Sequence, residues 1–174
     1  DFKGFQKAAA KLGGYPVVAK TLNSRQGRGV ILVESTQMAA FIADNIIDTS
    51  QGLLIQAFTP PQKRRDIRAF VIGDQVVAAM ELKPREGDFR SNIHLNGKGS
   101  FLKLEKKLAA LAVKSSMALG LEISGADIMV DAHGAAKVIE VNYSPGFRGL
   151  EAVTGLDIAS RIVQYVTQTL GGAS

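Results

Sequence analysis

Cysteine is absent from the 174-residue sequence, which excludes disulfide bonds and any metal site with cysteine ligands. Aromatic residues are scarce, at 6%, and they do not alternate with the basic residues, so a platform for stacking nucleic-acid bases is disfavoured. No hydrophobic run approaches the ~20 residues that cross a bilayer, and the polar start shows no signal peptide. We therefore expect a cytoplasmic protein without a membrane segment.

The charge balance is basic, with 21 lysine and arginine residues against 16 acidic ones and a net charge of +5. A basic chain can bind nucleic acid, but it can also bind small anions such as nucleotide phosphates. The densest basic run, Lys63-Arg64-Arg65, is also typical of a solvated loop. Hydrophobic residues, at 46%, suffice for a buried core in one domain or in two lobes.

Two groups of predicted elements divide the chain. The first combines a helix capped by Asp1, a β-hairpin, a second helix and the buried strand GLLIQAF. The second begins with a hairpin whose Gly73-Asp74 turn is a strong hairpin signal, and it ends with a helix that opens near Thr154. An amphipathic helix from Lys103 to Leu119 lies between these two elements. Its apolar stripe would comprise Leu104, Leu108, Leu111, Ser115 and Leu119.

An acid and an amide, Glu140 and Asn142, interrupt the otherwise apolar strand KVIEVN. This strand is expected to pair with ADIMVD in a hairpin. The facing pairs would be Asp127–Glu140, Met129–Val138 and Asp131–Ala136. Directly opposite side chains lie ~4.5–5.5 Å apart at Cβ, and Asn142 shares the face of Glu140 because side chains alternate along a strand. Two carboxylates and an amide would thus converge.

Two facing carboxylates need compensation, and three interpretations follow. The acids could share a proton and act as a general acid–base pair. The all-oxygen set also suits a hard cation such as Mg²⁺, whose shell is completed by water and substrate phosphates. Either acid could instead form an ion pair with a lysine or an arginine. The residues alone do not separate these interpretations.

Three further residues are candidates for binding phosphate. Lys20 ends an apolar strand before the glycine-bearing loop NSRQGRG, where backbone N–H groups and a point charge can hold phosphate oxygens. Arg90 and Asn92 lie in the polar segment REGDFRSN, and a guanidinium can contact phosphate or carboxylate bidentately. The order of elements matches neither a Walker loop nor a dinucleotide fingerprint. A plain hairpin turn and a solvated loop are the alternatives.

Taken together, these segments resemble a RimK-type ATP-grasp ligase, from the family of α-L-glutamate ligases that modify a ribosomal protein. The likeness is carried, in the family's order, by VVAKTLNSRQGRGV, LLIQAF, RDIRAFVIGDQVVAAMEL, EGDFRSN, SGADIMV, VIEVNYSPG and TGLDIA. The resemblance implies an α+β ATP-grasp fold of two lobes, each with a mainly antiparallel sheet and helices. Residues 1–58 would form the small, nucleotide-covering lobe, and residues 59–174 would form the large lobe with the metal site.

The resemblance also implies a role for each matched position. Lys20 would bind the ATP phosphates, and Asp66 would help to hold the nucleotide. Arg90 and Asn92 would grip the phosphates and an acyl phosphate, with Arg90 as the catalytic residue. Two Mg²⁺ or Mn²⁺ ions would be ligated by Asp127, Glu140 and Asn142. The hinge strand that presents its backbone to adenine would include Gln56, Ala57 and Phe58.

The sequence departs from the family pattern in two ways. Ala57 and Phe58 stand where an acidic residue and a tyrosine are usual, and alanine cannot supply the carboxylate that often contacts the nucleotide. Relatives begin with a further lobe of about a hundred residues, a domain-sized unit, whereas this sequence begins with Asp1 at the nucleotide-binding lobe. We therefore expect a fragment of a longer enzyme, in which the pre-ATP-grasp lobe is absent.

The implied reaction is ATP-dependent ligation of a carboxylate to an amine through an acyl phosphate, adding glutamate to the C-terminus of a peptide or of a protein such as a ribosomal protein. Arg68 is the candidate contact for the acidic amino acid; the alternative is a strand arginine paired with an acid such as Glu81. The first rival is another ATP-grasp amino-acid ligase, for cofactor glutamylation, a lysine pathway or glutathione-like synthesis. The second is a non-catalytic nucleotide- or nucleic-acid-binding module. Oligomerisation stays open.

Overall fold

The computed structural model of the chain describes residues 1–22, 29–45, 52–91 and 98–171. The chain divides into two compact units, residues 1–60 and residues 61–174. This division falls beside the boundary expected at residue 58, while the roles assigned to the two lobes stay a prediction. Within the described ranges, no helix is long and apolar enough to cross a membrane.

In its described residues, the first unit is a three-stranded antiparallel sheet with two helices. Its elements are α1 (Phe2–Lys11), β1 (Val17–Thr21), β2 (Val30–Val33), α2 (Thr36–Asn45) and β3 (Leu53–Ala57). The strand order is β2-β1-β3, so the predicted hairpin of the first two strands is confirmed. Asp1 caps α1 as expected, because its carboxylate accepts a hydrogen bond from the Gly4 N–H at 2.6 Å. Phe5, Val17 and Ile42 belong to the core between the helices and the sheet.

The described part of the second unit is a five-stranded antiparallel sheet with three α-helices. A short 3₁₀ turn, Pro61–Lys63, leads into it. Its elements are β4 (Arg64–Ile72), β5 (Gln75–Lys83), β6 (Lys98–Phe101), α3 (Lys106–Ala118), β7 (Ile123–Asp131), β8 (Ala136–Asn142), α4 (Arg148–Thr154) and α5 (Ile158–Gly171). The strand order is β6-β5-β4-β7-β8. The predicted α+β fold with antiparallel sheets is therefore confirmed.

Each face of the larger sheet has its own apolar core. On one face, Ile67 and Ile128 pack with Leu108 of α3. On the other face, Phe70 packs in a cluster with Leu150 of α4 and with α5. Because side chains alternate along a strand, the two residues at positions 66 and 68 of β4 share the face of Phe70. The second face is thus apolar at one end and polar at the other, and the polar end carries the candidate site.

The buried stripe of α3 differs from the predicted one. The residues that α3 buries are Leu108, Ala112 and Ser116, whereas Leu119 is 61% exposed. A polar residue occupies the inner position because the Ser116 hydroxyl lies 2.6 Å from the hydroxyl of Ser124 on β7 and also donates to the Ala112 carbonyl. Hydrophobicity alone could not identify a serine that is buried through such a pair.

Candidate functional site

The two acids singled out in the sequence face each other in the structure. Asp127 of β7 pairs directly with Glu140 of β8, and Asn142 pairs with Gly125 two positions along. The amide nitrogen of Asn142 donates to Glu140 Oε1 at 3.2 Å, so these two side chains lie on the same face. Two carboxylates and an amide are therefore brought together as expected.

A β-bulge in β8 produces this pairing. The register is Ile128–Val138 on one side and Asp127–Glu140 on the other, which leaves Ile139 as the extra residue. The expected Met129–Val138 and Asp131–Ala136 pairs are therefore wrong, and the observed pairs are Met129–Lys137 and Val130–Ala136. The expected register assumed an uninterrupted ladder, which holds only at the Asp127 end of the hairpin.

Arg68 of β4 provides the positive charge beside this acid pair. Its Nε and Nη2 donate to the two oxygens of Asp127 at 2.7 and 2.5 Å, in the bidentate geometry that makes charge-assisted hydrogen bonds strong. Both side chains are largely shielded, with 13% and 18% exposed. Of the three interpretations, the ion pair is the one that this structure shows for Asp127. Glu81, the acid proposed as the alternative partner of Arg68, pairs with Arg65 at 3.1 Å instead.

The electrostatics of this cluster combine burial and charge. Burial raises the pKa of Asp127 and the neighbouring Glu140 charge adds to the rise, although Arg68 opposes it. Burial would lower the pKa of Arg68, but the hydrogen bonds to Asp127 and the charges of Asp127 and Glu140 raise it overall. Among the residues that the structure describes, the cluster holds two acids against one guanidinium, so additional positive charge would be favourable there.

The donor set fits a hard cation whose shell is only partly supplied by protein. In the part of the chain that the structure describes, no group of three or more histidine, cysteine, aspartate or glutamate residues could hold a metal. The site offers instead two carboxylates and an amide, and the Glu140 side chain is exposed. Such an arrangement suits Mg²⁺, which keeps waters and substrate phosphates among its ligands.

A second polar cluster surrounds Asp66, two positions before Arg68 on β4. Arg64 Nε donates to both oxygens of Asp66 at 3.0 Å, and the Ser91 hydroxyl also donates to this carboxylate. Arg64 Nη2 reaches further, to the carbonyl oxygen of Phe89 at 2.6 Å. A cleft of about 280 Å³ opens beside Arg64 and Asp66. Its lining also includes Pro61, Gln62, Arg65, Glu81, Leu82, Lys83 and Pro84.

Arg90, the predicted phosphate ligand, is held within its own loop. Its guanidinium contacts the carboxylate of Asp88 at 2.8–3.2 Å, and its backbone N–H donates to the same carboxylate at 2.9 Å. The hydrogen bond from Arg90 lowers the pKa of Asp88, and the same bond raises the pKa of Arg90. Asn92, predicted to act with Arg90, lies outside the described residues.

The candidates of the first unit lie on its sheet. Lys20 of β1 pairs with Val30 and Leu54, so the strand end that carries it is flanked on both sides. Gln56 and Ala57 complete β3 opposite Val18 and Val17, and Phe58 follows directly. The loop that the sequence places after Lys20 has its central residues, 23–28, outside the described part of the chain. The phosphate and adenine roles of these residues stay a prediction.

Three residues of the polar clusters were not predicted from the sequence: Arg64, Asp88 and Ser91. Arg64 had a signal, because it shares the face of Asp66 and Arg68 at the two-residue spacing of a strand. Its position in a basic run favoured a solvated loop instead. Asp88 and Ser91 had no signal in the sequence beyond their place in the EGDFRSN segment, because a loop has no periodicity that orients side chains.

Comparison with known proteins identifies the fold class. The structure resembles that of the ATP-grasp ligase PsnB complexed with minimal precursor, Mg and ADP, with a TM-score of 0.74 at 21% identity over 97% of this chain and 51% of that one. It also resembles a RimK domain ATP-grasp protein from Sphaerobacter thermophilus, with a TM-score of 0.69 at 24% identity, covering 94% and 57% of the two chains. The two units therefore form an ATP-grasp fold.

Sequence comparison then gives the family. Residues 4–166 match the RimK-like ATP-grasp domain, and the chain belongs to this family. It is 41% identical to a probable alpha-L-glutamate ligase of Rhodopirellula baltica, over 96% of this chain and 41% of the relative. It is 42% identical to another of Thioalkalivibrio sulfidiphilus, over 91% of this chain and 52% of the relative. The chain thus spans about half the length of the relatives it matches, and the predicted resemblance is confirmed.

Proposed function

We propose that the chain is the ATP-binding part of a carboxylate–amine ligase. The observation that carries the proposal is the facing pair Asp127 and Glu140, with Asn142 on the same face, in a member of the RimK-like ATP-grasp family. Facing like charges destabilise a hairpin unless something compensates them. A function in which a cation and phosphates complete the site explains why these two strands carry acids that face each other.

The residues present have distinct parts in this proposal. Asp127, Glu140 and Asn142 would hold two divalent cations, Mg²⁺ or Mn²⁺. When bound, such ions would neutralise phosphate charge and polarise the transferred phosphoryl group. Arg90 would add a guanidinium to the same phosphates after exchanging its Asp88 partner, and Asn92 would assist it. The nucleotide would be held by Lys20, Gln56, Ala57, Phe58 and Asp66.

The chemistry that follows is ligation in two steps. A substrate carboxylate oxygen attacks the γ-phosphorus of ATP, the bond to the bridging oxygen breaks, and ADP leaves with that electron pair. The amine then attacks the acyl carbon, inorganic phosphate leaves, and the amine loses a proton as the amide forms. Positioning and charge neutralisation by the chain's cationic side chains account for most of the protein's contribution.

We propose glutamate as the amine substrate. The carboxylate donor would be the C-terminus of a peptide or of a protein such as a ribosomal protein. The similar proteins are named alpha-L-glutamate ligases, and PsnB was solved with a precursor peptide. Arg68 stays the candidate contact for the acidic amino acid. Its guanidinium is engaged by Asp127 in this structure, so binding a substrate carboxylate would require sharing or exchange of that partner.

The test is an assay of the full-length protein for ADP and phosphate release with each amino acid in turn and a peptide donor. Mass spectrometry of the peptide should show the added mass of glutamate. A preference for a neutral or basic amino acid would contradict the glutamate assignment and favour another ATP-grasp ligase. Nucleotide binding without ADP release under any substrate pair would favour the non-catalytic binding module.

A further inference from the structure

Arg64 connects two segments that are far apart in the sequence. It begins β4, and its side chain is only 11% exposed. Through Nε it binds the carboxylate of Asp66 on its own strand, and through Nη2 it donates to the carbonyl of Phe89 in the loop that follows β5. One guanidinium thus joins the strand to the loop.

The same loop has a second attachment to the same carboxylate. The hydroxyl of Ser91 donates to Asp66, so the residues on both sides of Arg90 are tied to β4. Arg90 itself is oriented within the loop by Asp88. The loop backbone is therefore fixed at Phe89 and Ser91, immediately before and after the cation whose placement the proposed reaction needs.

The contact requires the shape of arginine as well as its charge. Its planar fork offers donors in two directions at once, whereas a lysine ammonium is a compact point charge on a flexible stem. Shielding from solvent strengthens both hydrogen bonds, because the Asp66 side chain is only 17% exposed. A lysine at this position could neutralise Asp66 but could not also reproduce the planar contact with the Phe89 carbonyl.

We propose that Arg64 is a positioning residue: it holds Asp66 and the Arg90-bearing loop in one arrangement and so sets the affinity for the nucleotide phosphates. Only the effect on nucleotide affinity rests on the proposed function. The ordering of the loop is a property of the chain itself and can be measured without any ligand.

The experiment compares Arg64→Met with Arg64→Lys by amide hydrogen exchange and by titration with Mg·ADP. Arg64→Met should speed exchange in residues 85–91 at least ~10-fold, because a charge-assisted contact is lost, and should weaken Mg·ADP binding by a similar factor. Exchange in β7 and β8 should not change. Arg64→Lys keeps the charge beside Asp66 but loses the contact with the Phe89 carbonyl, so exchange in this loop should stay fast and Mg·ADP affinity should stay low. Affinity that lysine restores while loop exchange stays fast would overturn the inference.

Arg65→Met is the matched control, because it removes the same charge from the next residue and breaks an ion pair with Glu81 rather than a loop contact. It should leave exchange in residues 85–91 as it is. Ser91→Ala loosens the other attachment and should also speed exchange in this loop. If Arg64→Met fails to fold, Arg64→Lys decides the question, because it keeps the charge and loses the contact with Phe89. Exchange in residues 85–91 that stays slow in the Arg64 variants would overturn the inference.

The two arms also separate this inference from the proposed function. Weaker Mg·ADP binding with unchanged loop exchange would show that Arg64 acts by charge alone, and would overturn its positioning role. A wild-type chain that binds no Mg·ADP would refute the proposed function, while the exchange arm would still decide whether Arg64 orders the loop. A drop in global stability with neither effect would assign Arg64 a purely structural role and overturn the inference.

Discussion

Arg68 and Asp127 form a bidentate ion pair across β4 and β7, with donor–acceptor distances of 2.7 and 2.5 Å. The pair is largely shielded from solvent, and Glu140 lies opposite Asp127 on the neighbouring strand. Arg68 therefore compensates part of the negative charge of this acid pair.

Removing this guanidinium should destabilise the second unit markedly. Arg68→Met leaves Asp127 shielded and unpaired beside Glu140, and loss of one partner of a shielded pair costs about 3 kcal/mol. The control is Arg65→Met, whose pair with Glu81 is more open, with 43% of the arginine side chain exposed; it should cost less than about 1 kcal/mol. Urea unfolding of both variants measures the difference, and equal losses would show that Arg68 is not the compensating charge.

Part of this cluster could be predicted from the sequence. The pairing of Asp127 with Glu140 followed from two-residue periodicity and from acids that interrupt apolar strands. The partner of Arg68 did not follow. Glu81 faces Ile67 across β4 and β5, and so lies on the opposite side of the sheet from Arg68. Identifying Asp127 required knowing that β7 lies beside β4, and no local signal gives the order of strands from different hairpins.

The bulge and the loop contacts were beyond sequence reasoning for another reason. Ile139 is a good strand residue, so nothing in its type indicates that it is left out of the ladder. The contacts of Arg64 with Phe89 and of Ser91 with Asp66 join residues 25 positions apart in the chain. Such contacts depend on how the loop returns to β4, which turn chemistry does not fix. The helices, hairpins and antiparallel sheets, by contrast, carried clear periodic and turn signals.

Gly125 should tolerate no side chain. A Cβ at this position would lie 2.8 Å from the Cβ of Pro145, in the segment that follows Asn142. Gly125→Ala should therefore destabilise the chain by about 1–3 kcal/mol through overpacking and displace the end of β8. Gly146→Ala is the control, since nothing lies within 4 Å of its added Cβ, and it should change the free energy of unfolding by less than about 0.5 kcal/mol. Thermal unfolding of both variants checks this, and similar stabilities would contradict the contact.

The pair of Asp88 and Arg90 should be visible in a pH titration. Because Arg90 lowers the folded-state pKa of Asp88, the pair stabilises the folded loop fully above about pH 4, the unfolded pKa, and this stabilisation is lost as the pH falls through the folded pKa. Carboxyl NMR should place the Asp88 midpoint below its ordinary value. Arg90→Met should raise it, and Arg85→Met, in the same loop, should not. An Asp88 midpoint that is the same in Arg90→Met as in the wild type would refute the pairing.

Glu140→Gln should separate metal binding from folding. The side chain is exposed and the change removes a charge that faces Asp127, so it should not lower the free energy of unfolding. The loss of one ligand charge should weaken Mg²⁺ binding in the presence of ADP at least ~10-fold. Glu122→Gln, an exposed acid just before β7, is the control and should retain wild-type affinity. Equal metal affinity in the two variants would remove Glu140 from the metal site.

We propose above all that the polar face around Asp127 and Glu140 binds a nucleotide through a divalent cation. Calorimetric titration of the wild-type chain with ATP, in Mg²⁺ and then in excess chelator, tests it most directly. We expect measurable binding in Mg²⁺ and loss of most of the affinity in chelator, with Mn²⁺ restoring it. Binding of ATP that is equally strong without a divalent cation would contradict the account.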